Sequence, residues 1–313
     1  MPLFNTKEML KKACSQNYAV GAFNINNMEI LQGIMSACNR LNSPVILQVS
    51  EGARLYAGSL YLVSLIKSAV KIFKDIPLAL HLDHGRSFEM CKTCIEEGFT
   101  SVMIDGSHLP YERNVALTKA VADYAHKKDV TVEGELGRLA GTEENIDVEN
   151  METFYTNPKQ VKDFIYKTNI DSVAVSVGAS HGVCKFFKDQ EPGLRFDILE
   201  KIHKSLENFP IVLHGSSSVD EEIIKKINLF GGKIKNTSGL TEKILKKAIA
   251  MGVCKINIDS DIRLVATASI REYMNDISPS SFDPRGYLGY ARDKIEDIVA
   301  HKIEHVLGSK NKI

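Results

Sequence analysis

The chain has 313 residues, with 39 Lys plus Arg against 39 Asp plus Glu, 44% hydrophobic residues, 7% aromatic residues and no Trp. That length buries a large core, in one α/β barrel or in two medium domains, and zero net charge leaves no basic field to gather nucleic acid or anionic lipid. No run approaches the roughly 18 apolar residues of a membrane span, the start lacks signal-peptide order, and six scattered cysteines fit a reducing compartment, so a cytoplasmic protein free of membrane is expected.

In chain order, a helix over 7–16, opened by an Asn5/Glu8 capping box, precedes the first of eight short apolar runs. The runs cover 18–25, 44–50, 77–83, 101–106, 130–136, 172–177, 210–215 and 255–259. Amphipathic stretches such as 28–41, 60–73, 112–126, 160–168, 198–206 and 240–250 alternate with them. Near-continuous hydrophobic strands alternating with helices imply a parallel sheet covered on both faces. Eight such units in about 250 residues is the arithmetic of a (β/α)8 TIM barrel. A doubly wound sheet would show a glycine fingerprint after its first strand, where this chain reads Asn26-Asn27-Met28. Two further helices, 262–275 and 291–307, follow the last strand, and with no linker in sight the prediction is one barrel domain over 1–313. Cys91-Lys92-Thr93-Cys94 falls in a helical pattern without a second cysteine pair, and reads as ordinary helix residues.

Barrel chemistry gathers where strands end, and here nearly every strand ends in a group that binds metal or phosphate. These are Ser50, Asp83-His84-Gly85, Asp105, Glu133-Gly134-Glu135, Ser180-His181-Gly182, His214 to Ser218, and Asn257 to Asp261. Any one of them reads equally well as a loop cap. Three histidines on three strand ends around one mouth do not, because separate imidazoles converging on a divalent ion with one position open describe a catalytic zinc. His84, His181 and His214 are the predicted ligands. His81, inside strand three, fills a barrel layer or supports the site from behind; His108 follows strand four, and the remaining histidines belong to surface helices. Gly215-Ser216-Ser217 and Asn257 to Ser260 offer backbone N–H groups where barrels often hold phosphate, with Gly182 and Lys185 as a matching cradle and Arg263 in reach of the mouth. Metal and phosphate loops together indicate a small phosphorylated substrate.

The segments His81-Leu82-Asp83-His84-Gly85, Val132 to Gly137, Ser180-His181-Gly182, His214-Gly215-Ser216-Ser217 and Asn257 to Asp261 resemble the motifs of class II, metal-dependent fructose-bisphosphate aldolases. The agreement runs in order from about Tyr18 to Arg292, through Gly21-Ala22-Phe23-Asn24 and Asp283-Pro284-Arg285, and the closing Leu307-Gly308-Ser309 is most similar to the class IIB subgroup. The resemblance implies zinc on His84, His181 and His214, and Asp83 as acid/base at the C3–C4 bond. It implies that Gly182, Lys185, Gly215, Ser216, Ser217, Asn257 and Ser260 hold the dihydroxyacetone phosphate half, that Ser50 and Arg263 serve the other phosphate, and that Asp259 serves sugar hydroxyls. Asp105 and Glu135 match a second cation position, divalent or monovalent, of some members. It also implies a homo-oligomer, dimer or tetramer, in glycolysis and gluconeogenesis. Gly106 and Gly134 stand where Ala is expected, Val183-Cys184 replaces a usual Ala-Tyr, and Ala140-Gly141 replaces a double glycine.

The chemistry of the residues agrees. Ketose cleavage leaves an enediolate whose charge a zinc ion stabilises as Lewis acid, while Asp83 exchanges the C4 hydroxyl proton and Glu143, or Glu144 beside it, in the acidic loop 142–152 serves C1. Four rivals stand beside this reading. Lys255 has the strand parity to form an imine; a metal-dependent hydrolase would want His-x-His where the first strand has Phe23-Asn24-Ile25; a phosphosugar sensor or adhesin would have a dead site; and tagatose bisphosphate is the C4 epimer of the expected substrate.

Overall fold

The Val- and Ile-rich runs leave no polar edge toward water, and they satisfy their backbone groups by pairing side by side until the sheet meets itself. A computed structural model describes residues 3–138, 140–141, 154–181, 193–235 and 239–313, and of 140, 141, 180 and 181 the backbone alone. Its strands are β1 (Val20–Asn24), β2 (Val45–Ser50), β3 (Leu78–Gly85), β4 (Ser101–Ile104), β5 (Thr131–Leu136), β6 (Ala140–Gly141), β7 (Ser172–Val175), β8 (Ser180–His181), β9 (Ile211–Leu213) and β10 (Val253–Ile258). Eight form a closed parallel barrel in the order β1-β10-β9-β7-β5-β4-β3-β2, and β6 and β8 pair separately above it. The predicted barrel is thus observed, with the β6–β8 pair added.

Helices α1 (Lys7–Ser15), α2 (Met28–Arg40), α3 (Glu51–Ala57), α4 (Ser59–Ile72), α5 (Phe88–Glu97), α6 (Tyr111–Ala125), α7 (Pro158–Thr168), α8 (Phe196–Ser205), α9 (Glu221–Leu229), α10 (Glu242–Ala250), α11 (Ser260–Glu272) and α12 (Pro284–Lys302) surround it. Side-chain oxygens of Asn27, Ser87, Asn157, Asp220, Thr241 and Asp283 accept first-turn N–H groups and fix where their helices start. The expected Asn5/Glu8 box does not form. Thr6 is the N-cap residue, Glu8 pairs with Lys11 at 3.3 Å, and the Thr6 hydroxyl turns into the barrel floor, 2.8 Å from Thr131 Oγ1. The last helix starts at Pro284 and not at 291, because Asp283 caps it and proline suits a first turn. Among the described residues no single helix is long and apolar enough to cross a membrane; α3 and α4 pass such a test only as a pair bent by 95°.

Outward strand residues such as Leu47, Leu80, Val102 and Val132 pack under the helices in one continuous core. Inside, Met9, Leu10 and Ala13 of α1 plug the lower end against Val20, Ala22, Ile46 and Ala79. Higher up, the interior turns polar at Gln48, His81 and Glu133, all buried. The apolar floor and the polar upper layer give the barrel one chemically active end. Cys91 and Cys94 are free, buried thiols of α5, and burial pushes both up to about 12. Gly134 has its own reason to depart from Ala: a Cβ there would crowd Phe164, Ile170 and Thr118 at 3.0–3.1 Å.

Candidate active site

Consecutive residues of an unbroken strand point to opposite faces, yet Asp83 and His84 both reach the barrel mouth. The register of β3 against β4 shifts between Leu82 and Gly85, and His84 has φ +49°, a conformation that costs energy in a non-glycine residue. This bulge turns His84 inward beside Asp83, bringing its Nε2 to 4.0 Å from Asp83 Oδ1. Gly85 closes the bulge against β4, where a Cβ would meet the Met103 carbonyl at 2.6 Å.

His84 Nε2 lies 2.9 Å from His214 Nδ1, with the rings nearly perpendicular. The outer nitrogens are held by carboxylates: His84 Nδ1 by Asp105 Oδ2 at 3.1 Å, and His214 Nε2 by Glu133 Oε1 at 2.7 Å. With each outer nitrogen donating to its carboxylate, loss of the proton shared between the inner nitrogens leaves two lone pairs aimed at one point, and orienting carboxylates of this kind accompany metal-bound histidines. Asp83, His84 and His214 form one group whose ligand atoms lie within 4.8 Å of one another, and His84, Asp105 and Glu135 form another.

Asp83 sits in a relay of amides. Gln48 Nε2 donates to Asn24 Oδ1 at 2.7 Å, Asn24 Nδ2 donates to Asp83 Oδ2 at 2.7 Å, and Asn257 Nδ2 donates to Asp83 Oδ1 at 3.3 Å. Below it, the buried Lys255 ammonium donates to Glu133 Oε2 at 2.8 Å and lies 3.4 Å from His81 Nε2. Sequence reasoning missed Asn24 and Gln48 as site residues, and it named Glu133 at the end of strand five without giving it a role. Their signal was polarity at inward parity within strands that are otherwise apolar.

The electrostatics follow from this crowding. Burial works against the charge on Asp83, but His84, His214, the Asn24 hydrogen bond and Lys255 outweigh it and hold the carboxyl at about 2. Burial likewise opposes the charge on His84, and the Asp105 hydrogen bond with the charges of Asp83, Glu135 and Asp105 overcomes it, raising the imidazole to about 10. His81 is lowered to about 3 by burial and by Lys255. Glu135 is pushed well up by burial and by Asp105, and its Oε2 has no hydrogen-bond partner among the described residues; nor has Asn257 Oδ1. Among the described residues, the carboxylates of Asp83, Asp105 and Glu133 and the raised carboxyl of Glu135 converge here with the Lys255 ammonium and the His84 imidazolium. Nitrogen donors aimed at one point, surplus buried negative charge and orphaned oxygens fit a divalent cation.

Around the rim, the Ser50 hydroxyl accepts from Ala53 N–H at 3.2 Å and keeps its own proton to donate. Gly215 has φ +60°, and the buried Ser216 hydroxyl donates back to the carbonyls of Leu213 and His214 at 2.9 and 3.1 Å. Ser217 Oγ accepts from Asp259 N–H at 3.4 Å, Asp259 Oδ1 accepts from Arg263 Nε at 2.8 Å, and Ser260 opens α11. The mouth therefore collects Ser50, Asp83, His84, Asp105, Glu135, His214 and Asn257. Glu143, Glu144, Gly182, Lys185 and the side chain of His181 lie outside the described residues.

The family profile described as "Fructose-bisphosphate aldolase class-II" matches residues 4–312. A fructose-bisphosphate aldolase of Treponema pallidum is 49% identical, the alignment covering 98% of this chain and 96% of that protein. One of Giardia intestinalis is 45% identical, over 97% and 93%. In shape, the crystal structure of the YdjI aldolase from Escherichia coli K12 superimposes with a TM-score of 0.79 at 26% identity, covering 99% of both chains. A closed barrel whose mouth gathers histidines and carboxylates and a family match over nearly the whole length agree, and the chain belongs to the class II fructose-bisphosphate aldolases, which are lyases.

Proposed function

We propose that this enzyme cleaves fructose 1,6-bisphosphate reversibly to dihydroxyacetone phosphate and glyceraldehyde 3-phosphate, with zinc held by His84, His181 and His214 in a single barrel domain. The observation that carries the reading is the 2.9 Å approach of His84 Nε2 and His214 Nδ1, each outer nitrogen held by a carboxylate. When bound there, the cation supplies Lewis-acid stabilisation of negative charge on the substrate oxygens.

The residues of the chain do the rest. Asp83, kept ionised and aimed by Asn24 and Asn257, accepts the C4 hydroxyl proton as the C3–C4 bond breaks and returns it in condensation. Glu143 exchanges the proton at C1. Gly215 and Ser216 offer backbone N–H groups, and Ser217 its hydroxyl, to the dihydroxyacetone phosphate end, with Gly182, Lys185, Asn257 and Ser260. Arg263 and Ser50 take the second phosphate, and Asp259, now tied to Arg263, passes from that ion pair to a sugar hydroxyl. The Lys255 ammonium is committed to Glu133, which speaks against an imine mechanism.

A coupled assay of both ketose bisphosphates, with and without a strong chelator, tests the reading. Expected is chelator-sensitive cleavage of the fructose substrate in preference to its C4 epimer, tagatose bisphosphate; activity that survives complete metal removal would overturn it. Operation in glycolysis and gluconeogenesis as a cytoplasmic homo-oligomer completes the proposal.

A further inference from the structure

Val219 adopts φ +51°, the left-handed region that a β-branched side chain rarely tolerates. It lies in the segment 214–220 joining β9 to α9, to which the proposed function gives one substrate phosphate. The strain does not stand alone. Asp261, near the start of α11 and buried, accepts Ser218 N–H at 3.0 Å on Oδ2 and Val219 N–H at 2.8 Å on Oδ1. Behind it, Lys302 of α12 is 3% exposed; its Nζ donates to Ser218 Oγ at 2.7 Å and lies 3.4 Å from Asp261 Oδ2 and from Glu242 Oε1. Removing these charges from water is costly, and nothing in the reaction itself calls for a lysine in the wall between α10, α11 and α12. What the cluster does accomplish is geometric: one carboxylate grips two successive N–H groups and one ammonium grips the hydroxyl beside them.

We propose that Asp261 and Lys302 are positioning residues that hold segment 216–219 in its phosphate-binding shape against the strain at Val219. The proposal rests on the reading of this loop as a phosphate site. Without Asp261, Val219 relaxes to negative φ and the N–H groups before it turn away from the mouth.

The test uses the full-length, zinc-loaded enzyme, with inorganic phosphate as competitor against fructose 1,6-bisphosphate. Asp261→Asn keeps the shape but offers one acceptor oxygen for two N–H groups and loses the charge facing Lys302. The expected result is a rise of about tenfold in both KM and the phosphate inhibition constant, a much smaller change in kcat, and unchanged zinc per chain. Adding Val219→Gly should restore both constants, since glycine takes positive φ without strain. If Asp261→Asn fails to fold, Lys302→Met is read in the same way, with a smaller rise expected. A lower Tm with KM and phosphate inhibition unmoved, or no recovery on adding Val219→Gly, overturns the proposal. Ser217→Ala separates the two layers. Unchanged phosphate inhibition in Ser217→Ala overturns the phosphate reading of the loop and the proposal with it, whereas weakened inhibition there beside an unaffected Asp261→Asn overturns the brace alone.

Discussion

His84 and His214 come from strands that are not neighbours, yet their inner nitrogens meet at 2.9 Å while Asp105 and Glu133 hold the outer ones. A cation held there is expected to stabilise the fold as well as drive the reaction, because it binds the native arrangement alone. Chelation should abolish cleavage and lower Tm together, and zinc should restore both. His214→Ala should lose bound metal and activity; full zinc content in that variant, measured by atomic absorption, would contradict the assignment.

Asp83→Ala should retain zinc and lose turnover by about 10²- to 10⁴-fold, the usual contribution of a general acid/base. Asn24→Ala leaves the carboxyl in place without the 2.7 Å donor and should cost less. Steady-state rates beside metal analysis check both, and normal turnover in Asp83→Ala would reassign the proton to another group.

Lys255→Met strands the buried Glu133 carboxylate. Breaking a buried pair from one side costs about 3–5 kcal/mol, which urea unfolding will read as a lower midpoint. Borohydride treatment of the parent enzyme with substrate should leave no adduct on Lys255. An adduct there would return the imine mechanism to contention.

Gly33 lets α2 and α12 touch through their backbones. A Cβ on it would stand 2.8 Å from the Arg292 carbonyl and from Ile295 Cγ2, so Gly33→Ala forces the helices apart. The expected destabilisation is about 1–3 kcal/mol, with KM unchanged in the folded fraction. A neutral result would mean that α12 shifts freely on the barrel.

The eight barrel strands could be read from the sequence because each is a short, mainly apolar run bounded by polar turns, as a strand covered on both faces must be. The pair β6–β8 could not, since two-residue strands have no periodicity, and the start of α12 was missed although Asp283-Pro284 announces it. At the mouth, His84, Asp105, Glu135, His214 and Asn257 were legible as polar strand ends, and the structure gathers them. The pairing of Glu133 with Lys255 was hidden, because a charge inside a strand shows its purpose only when the opposite charge, 122 positions away, is found beside it. The bulge that turns His84 inward depends on registry with β4, which no local pattern encodes.

The sheet closes where β1 meets β10, Val20 opposite Lys255. The strand that seals the barrel is therefore the one that delivers the ammonium to Glu133. A nascent chain that has made β1 to β9 carries the Glu133 anion in its interior without its ammonium partner and with two open strand edges beside it, so seam closure and the pairing of that charge are one event during synthesis. A ribosome-stalled fragment ending before Val253 should accordingly expose both edges to chaperones or to other chains, while a fragment reaching Ile258 should be able to seal.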